Sequence, residues 1–487
     1  MHDLLAALLI LIVITAAYPW ALWLLAYQKT GEPEFWLPLL LTLALSTGTL
    51  TLIMFWEALL NIHLTLLGIT VPYLALMLPG WYFQRPRWPT MSLPRPWPTR
   101  LAVLLLTILC AGVLFNSLYW PFSRADAVGI YAHFAEYMAD QRALAPLPGK
   151  LTVYEAYPIL IPLSYSYTYL ASGWYNEYLA RLFPALLSLG CLGAIYVLGK
   201  QMHSRLAGML AVLLLAFTPA FVSWASSGYV DLPMAFFYAM AAIFAARVRT
   251  SRHWRDALLA GVMMGLAAWT KNAALLGVLF LALWLLWIRL KGWLIVLALG
   301  VCAGVAAPWY LRNLIEAGLI LPPTAWTEQS QHTLASLLVL LNHPQDYALS
   351  GFVIFFSVIA AIAAVIRRRF DAPDRVQLLL WTLPFFAAWW LFASYDPRFL
   401  LMFLPLGCVL AGIEVAQLWA RIPAKGQQRL MIPAAGLALI LGLWMAWESV
   451  EYKTAILHDP LMSADERRAI VYADRQPRRY RQLYGDD

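Results

Sequence analysis

The chain has 487 residues, of which 62% are hydrophobic and only 12% charged, and its Lys and Arg outnumber its Asp and Glu by 34 to 26, a net charge of +8. That balance excludes a soluble domain and places the chain among polytopic membrane proteins. The positive excess would suit a nucleic-acid binder, but its distribution along the chain argues against one.

A bilayer core of about 30 Å takes roughly 20 apolar residues per helix, and lipid admits only helices or closed barrels. The apolar runs are continuous and lack strand alternation, so the expected fold is all-α. Runs near 4–26, 36–56, 62–83, 101–120, 180–198, 206–223, 230–246, 256–270, 272–288, 293–309, 350–366, 376–393, 399–417 and 430–447 fit helical spans. They predict a bundle of about 12–14 transmembrane helices with a helical outer loop carrying the site. Met1 to Tyr27 lacks a basic start and a small-residue cleavage site, and reads as a retained helix. The organisation expected is extra helices over 1–100, a core over 101–309 with its first outer loop at 121–179, a further outer loop and helices over 310–447, and a basic outer tail over 448–487.

Arginine and lysine set the orientation. Connections at 85–100, 200–205, 247–255, 289–291, 367–375 and 421–429 carry most of them, from Arg85, Arg87 and Arg95 through Arg368 and Arg369 to Arg429, and all fall on one side. By the positive-inside rule that side is cytoplasmic. The loops at 121–179 and 310–349 and the C-terminal tail then face outward. Much of the basic charge is thus a topology signal, and no nucleic-acid partner is expected.

A few ionisable residues on the outer side are poorly explained by solvation. Asp126 follows the run Leu101 to Tyr119, Asp231 opens a helix in Ser-Gly-Tyr-Val-Asp-Leu-Pro, Lys271 separates two helices, and Arg398 stands in Ser-Tyr-Asp-Pro-Arg-Phe-Leu-Leu. Each has a plain structural role available: a helix cap for Asp231, a loop cap for Asp126, and snorkelling to the headgroups for Lys271 and Arg398. Charges near hydrocarbon are costly and usually face a cavity or a partner, and four meeting on one face by accident is a poorer account than a site. The set suits transfer from an anionic lipid carrier. Cations neutralise a phosphate leaving group, and a carboxylate takes the proton of an attacking hydroxyl.

Residues 101–405 resemble the GT-C superfamily of polyprenyl-phosphate-sugar-dependent glycosyltransferases, in the protein O-mannosyltransferase and lipid A aminoarabinose transferase branch. The resemblance rests on Asp126 with Tyr131 in an amphipathic stretch, on Tyr-Glu-Ala-Tyr-Pro at 154–158 with Pro162-Leu163, and on Arg181-Leu-Phe-Pro-Ala-Leu-Leu. Asp231 and Trp-Thr-Lys at 269–271 follow, then Pro308-Trp309-Tyr310 and Arg398-Phe-Leu-Leu.

The resemblance implies inverting transfer of a sugar, with Asp126 as the essential acid of the first outer loop and base, and Asp231 in a supporting acidic role. Lys271, Arg398, Tyr131 and Glu155 are the expected substrate-binding residues. Glu155 stands where aminoarabinose transferases have a Glu-Lys-Pro stretch associated with a metal site. Ala127 after Asp126 and Ala156-Tyr157 after Glu155 depart from the family pattern, so no cofactor is assigned and a divalent metal ion stays open. The expected partners are a polyprenyl-phosphate sugar, a lipid, glycan or protein acceptor, and membrane lipids. The expected setting is a monomer in a bacterial inner membrane, its site on the outer face.

Other features read more plainly. His133, His332, His343 and His458 are scattered without paired ligand spacing. Cys110, Cys191, Cys302 and Cys408 lie in apolar runs, as buried thiols do. Tyr165, Tyr167 and Tyr169 beside Trp174 fit either a sugar-stacking surface or loop packing, and Gly261, Gly265 and Ala268 fit close helix packing. The tail arginines, Arg467, Arg468, Arg475, Arg478, Arg479 and Arg481, read as a solvated basic surface that could touch anionic lipid or glycan. Neither Gly-x-Gly-x-x-Gly nor a Walker loop occurs, which favours a lipid-linked donor over a nucleotide sugar. A transporter or flippase of lipid-linked glycans would hold phosphate with the same cations but should show paired half-repeats, and none is evident. A glycan polymerase or ligase would differ mainly in using a lipid-pyrophosphate donor.

Overall fold

The computed structural model describes residues 2–26, 35–84, 86, 96–147, 155–321, 327–367, 372–477 and 481. Arg85, Arg87, Arg95, Tyr154, Arg368, Arg369, Arg478 and Arg479 lie outside the described residues. Helices account for every expected span, and no strand occurs among the described residues. Among the described residues, ten helical segments are long and apolar enough to cross a membrane: Asp3–Leu25, Trp36–Leu59, Leu66–Gln84, Trp97–Tyr119, Glu177–Met202, Asp231–Ser251, Gly292–Ala317, Pro344–Arg367, Pro373–Phe392 and Ala424–Ser449. Arg205–Ala216 and Pro219–Ala225, bent by 71° at their junction, make an eleventh if they count as one span. The other expected spans fall on Trp254–Thr270, Asn272–Trp287 and Leu404–Arg421, which are shorter or more polar. The protein is an integral membrane protein.

Helix Asp231–Ser251 is the axis of the bundle, with every residue of its apolar window buried inside the protein. Its alanine-rich face lets neighbours approach closely, as small residues do between membrane helices. A Cβ on Gly261 would collide with the Ala298 carbonyl, and one on Gly265 would lie 2.9 Å from the Cys302 carbonyl oxygen. Helices Trp254–Thr270 and Gly292–Ala317 therefore pack backbone to backbone, the close contact that the glycine spacing predicts.

Alternating helix directions sort the connections between the two ends. At one end, basic residues pair with acids: Arg247 with Asp256 at 3.2 Å, Arg249 with Asp374 at 2.7 Å and Arg375 with Glu414 at 2.6 Å. At the other end lie the first loop, the turn before Asp231, Lys271, the segment around Arg398 and the C-terminal tail.

Three features there differ from the plain sequence reading. Tyr165, Tyr167 and Tyr169 are buried on helix Leu160–Ser172, so they form no sugar-stacking surface. The Tyr165 hydroxyl donates to the Gly228 carbonyl at 2.7 Å, and that of Tyr167 meets Thr70 at 3.1 Å. Second, the N-terminal helices support this buried helix and reach the loop beyond it, where Asp3 accepts from Trp174 and Asn176 at 2.9 Å each. Third, the tail is docked: helices Lys453–His458 and Ala464–Arg475 follow the last span, and Val471 and Tyr472 are buried. Arg467 lies over the rings of Tyr119 and Tyr178, and Arg468 over Trp174, so aromatic faces hold charges that the sequence assigns to solvent.

Candidate active site

Each of the four charged residues sits where a helix starts or stops. Asp126 immediately precedes a π-helical turn, Ala127–Ala132, a geometry enriched at functional sites. Asp231 is the first residue of its helix, following Val230 at the N-cap. Lys271 is the extended residue that ends helix Trp254–Thr270. Arg398 lies on a short 3₁₀ turn, Pro397–Met402, started by the Asp396 carboxylate, which accepts the Arg398 backbone N–H at 2.8 Å.

The fold brings these four together as two ion pairs. Lys271 Nζ donates to Asp231 Oδ1 at 2.5 Å, and both side chains are buried. Arg398 donates to Asp126 Oδ2 at 3.0 Å, with Asp396 3.4 Å from its Nε. Neither cation snorkels, and neither acid is a simple cap. The second Asp231 oxygen is buried without a hydrogen-bond partner, a costly state that a ligand or water would relieve. Burial works against the Arg398 charge, but Asp231, Asp396 and Asp126 together raise its pKa above the ordinary arginine value, so the guanidinium stays charged.

The two pairs differ in access. Asp231 and Lys271 are sealed in, with side chains only 3% and 8% exposed, whereas the Asp126 side chain is 30% exposed. Of the two paired acids, Asp126 is the one that combines a free approach with a fixed position. Its backbone N–H donates to the Tyr229 hydroxyl at 2.9 Å. Burial and the nearby Asp126 push that phenol up to about 12, so it stays protonated.

Aromatic residues complete the lining. The Arg398 guanidinium lies over Trp224, Tyr229 and Phe399 at 5.2, 4.9 and 4.8 Å, and Lys271 Nζ over Phe399 at 4.6 Å. Arg124 also stacks on Trp224, at 4.9 Å. Sequence reasoning passed over Trp224, Tyr229, Asp396 and Arg124. The signal was adjacency: Tyr229 stands two residues before Asp231, Asp396 two before Arg398, and Arg124 two before Asp126.

Tyr131 and Glu155 occupy other positions. Tyr131 is buried on the π-helical turn, its ring edge-on to Tyr157 and Tyr229 at 6.0 and 5.8 Å, so it supports the site from beneath. Glu155 lines a small cavity with Phe134, Met138, Trp309 and Arg312, and none of the four charged residues borders it. The next two residues point back to the site: the Ala156 carbonyl accepts from Asn272 at 3.1 Å, and burial together with Asp231 and Asp126 raises the Tyr157 phenol pKa. Arg181, quoted in the sequence resemblance, is a structural clamp: buried, it donates to the carbonyls of Trp120, Pro121 and Ser226.

A divalent ion fits these residues poorly. The described residues contain no group of three or more His, Cys, Asp or Glu side chains able to hold a metal. The carboxylates at the site already face arginine and lysine.

Comparison with known proteins agrees with the architecture. Residues 159–311 match the family model for dolichyl-phosphate-mannose-protein mannosyltransferase. The fold is similar to that of ArnT from Cupriavidus metallidurans bound to undecaprenyl phosphate, with 18% identity, a TM-score of 0.52, and coverage of 69% of this chain and 63% of that one. In its apo state the same protein matches with 19% identity, a TM-score of 0.51, and coverage of 68% and 62%. An Archaeoglobus fulgidus oligosaccharyltransferase in complex with zinc and sulfate matches at 15% identity and a TM-score of 0.50, over 79% of this chain and 57% of that one. The chain thus spans less than two thirds of the length of each of these relatives. No curated protein matches it by sequence. At these identities the likeness is one of fold, and that fold is the GT-C type expected from the sequence.

Proposed function

We propose that this protein is a membrane glycosyltransferase that moves a sugar, with inversion, from a polyprenyl-phosphate donor to an acceptor hydroxyl or amine on the outer face of a bacterial inner membrane. The observation that carries this reading is the meeting of Asp126, Asp231, Lys271 and Arg398, drawn from four separate connections, at one end of the bundle. Likeness to an undecaprenyl-phosphate-bound protein and to a dolichyl-phosphate-mannose family supports the donor class.

The donor phosphate takes over Arg398 from Asp126, the guanidinium lying over Trp224, the ring that Arg124 also stacks on. Released from that pair, Asp126 accepts the proton of the acceptor as its oxygen or nitrogen attacks the anomeric carbon from the face opposite the phosphate. The bond from that carbon to the phosphate oxygen breaks, and the cations stabilise the departing lipid phosphate. Lys271 and Asp231 stay paired behind the reacting atoms and hold the local field. The test is turnover: purified protein in proteoliposomes should transfer sugar from a polyprenyl-phosphate sugar, whereas transbilayer movement of a labelled donor without product would make it a flippase.

Two further results are expected. Arg398→Met should weaken donor binding about ten- to hundredfold, since a charge-assisted contact is worth roughly 1.5–3 kcal/mol. Arg398→Lys should recover only part of this, because it keeps the charge and loses the fork. Unchanged donor affinity in the Met variant would remove Arg398 from the phosphate site. For orientation, cysteines introduced as Asp459→Cys and Arg421→Cys in a background lacking the native four should behave oppositely. The first should react with an impermeant thiol reagent on intact cells and the second should not; the reverse pattern would place the site on the cytoplasmic face.

A further inference from the structure

We propose that the C-terminal segment from Glu451 to Gln476 is a positioning element for Asp126, an inference that rests on the catalytic role given to Asp126 above. The strap from Trp120 to Asp126 links the span Trp97–Tyr119 to the π-helical turn, and the tail holds its middle at Phe122, directly at the carbonyl and through Glu177 at the N–H. The Phe122 N–H donates to Glu177 Oε2 at 3.0 Å, while Tyr472 donates to the other oxygen of the same carboxylate at 2.5 Å. The Phe122 carbonyl accepts from Gln476 Nε2 at 2.8 Å. One residue further on, Ser123 donates to Glu451 at 3.4 Å, and the Glu451 backbone N–H is itself held by Asn116 at 3.1 Å.

Packing reinforces these contacts. Trp120 is completely buried in a small cluster with Met462, Val471 and Tyr472, and its ring lies 4.9 Å from that of Tyr452. This cluster stands apart from the main core. Arg181 still holds the carbonyls of Trp120 and Pro121 and the Phe122 ring stays in the main core, so loosening the cluster relaxes the strap between fixed points while the helical bundle keeps its own packing. Beyond Ser123 the strap is held by Arg124 stacked on Trp224, by the bond from the Asp126 N–H to Tyr229 and by the pair of Asp126 with Arg398. A carboxylate four residues past an unpinned Phe122 then samples positions displaced from the reacting centre. Displacements of that kind, on the order of 1 Å, lower rates by as much as about 10²-fold.

The experiment pairs Tyr472→Phe with Gln476→Ala in the full-length protein and reads hydrogen exchange and kinetics on the same preparation. The expected result is amide exchange about 10-fold faster across residues 120–128, as one buried and one partly buried contact are lost. The kcat for transfer should fall about 10-fold or more with KM for the lipid-phosphate donor within about twofold. Leu461→Ser, on the exposed part of the tail, should change neither. Gln476→Lys, which keeps a donor, should recover part of both. Unchanged exchange at 120–128, or faster exchange with wild-type kcat, would overturn the proposal. Wild-type protein that transfers no sugar would instead overturn the functional reading, and the exchange data would still decide whether the tail holds the strap.

Discussion

Asp126→Asn should cut sugar transfer by about 10²-fold or more while leaving the protein folded and donor binding nearly intact. The substitution removes basicity and keeps an oxygen that can accept from Arg398, as Asp126 Oδ2 does at 3.0 Å. The backbone bond to Tyr229 does not involve the side chain and should persist. Arg398 also retains Asp396, so no buried charge is stranded. With the Asp126 side chain 30% exposed, the stability change should stay within about 1 kcal/mol. The measurement is turnover of the reconstituted variant beside its thermal melt and donor affinity. Wild-type turnover would rule out Asp126 as the base. The assignment would then pass to Asp231, which is sealed against Lys271, or to Glu155, which borders another cavity.

How far the sequence could be read follows from what hydropathy measures. It separates lipid-facing or buried residues from watery ones, and so located the helical spans and the connections that hold Asp126, Asp231, Lys271 and Arg398. It cannot separate a lipid-facing side of a helix from a protein-facing side when both are apolar. Helix Asp231–Ser251, wholly enclosed, and helix Ala424–Ser449, with 11% of its window buried, look alike by composition. For the same reason the buried tyrosines of Leu160–Ser172 could pass for a sugar platform.

Pairing was equally hidden. Asp231 and Lys271 lie 40 positions apart, and Asp126 and Arg398 lie 272 apart. The four charges therefore read as one set on one face, with no sign of which acid meets which cation. The tail misled through its composition, since arginines suggest solvent unless the aromatic rings that receive them are known. Arg467 rests on Tyr119 and Tyr178, residues from two other parts of the chain.

The Asp231–Lys271 pair yields the second large effect, and one that separates stability from chemistry. Taking either charge alone leaves the other stranded in a site that excludes water, which typically costs about 3–5 kcal/mol. Lys271→Met and Asp231→Asn should each lower the melting temperature and the yield of folded protein as well as the activity. The double variant removes both charges and should recover much of that stability, because a neutral pair carries no desolvation penalty. Activity should not return with it, because the site loses both the positive charge of Lys271 and the acid that helps to hold the field around Arg398. A double-mutant cycle on melting temperature and turnover reads both quantities at once. Single variants that melt with the wild type would mean that water reaches this pair in the bilayer. A double variant with full turnover would reduce the pair to a structural tie and leave Asp126 and Arg398 as the whole of the charged machinery.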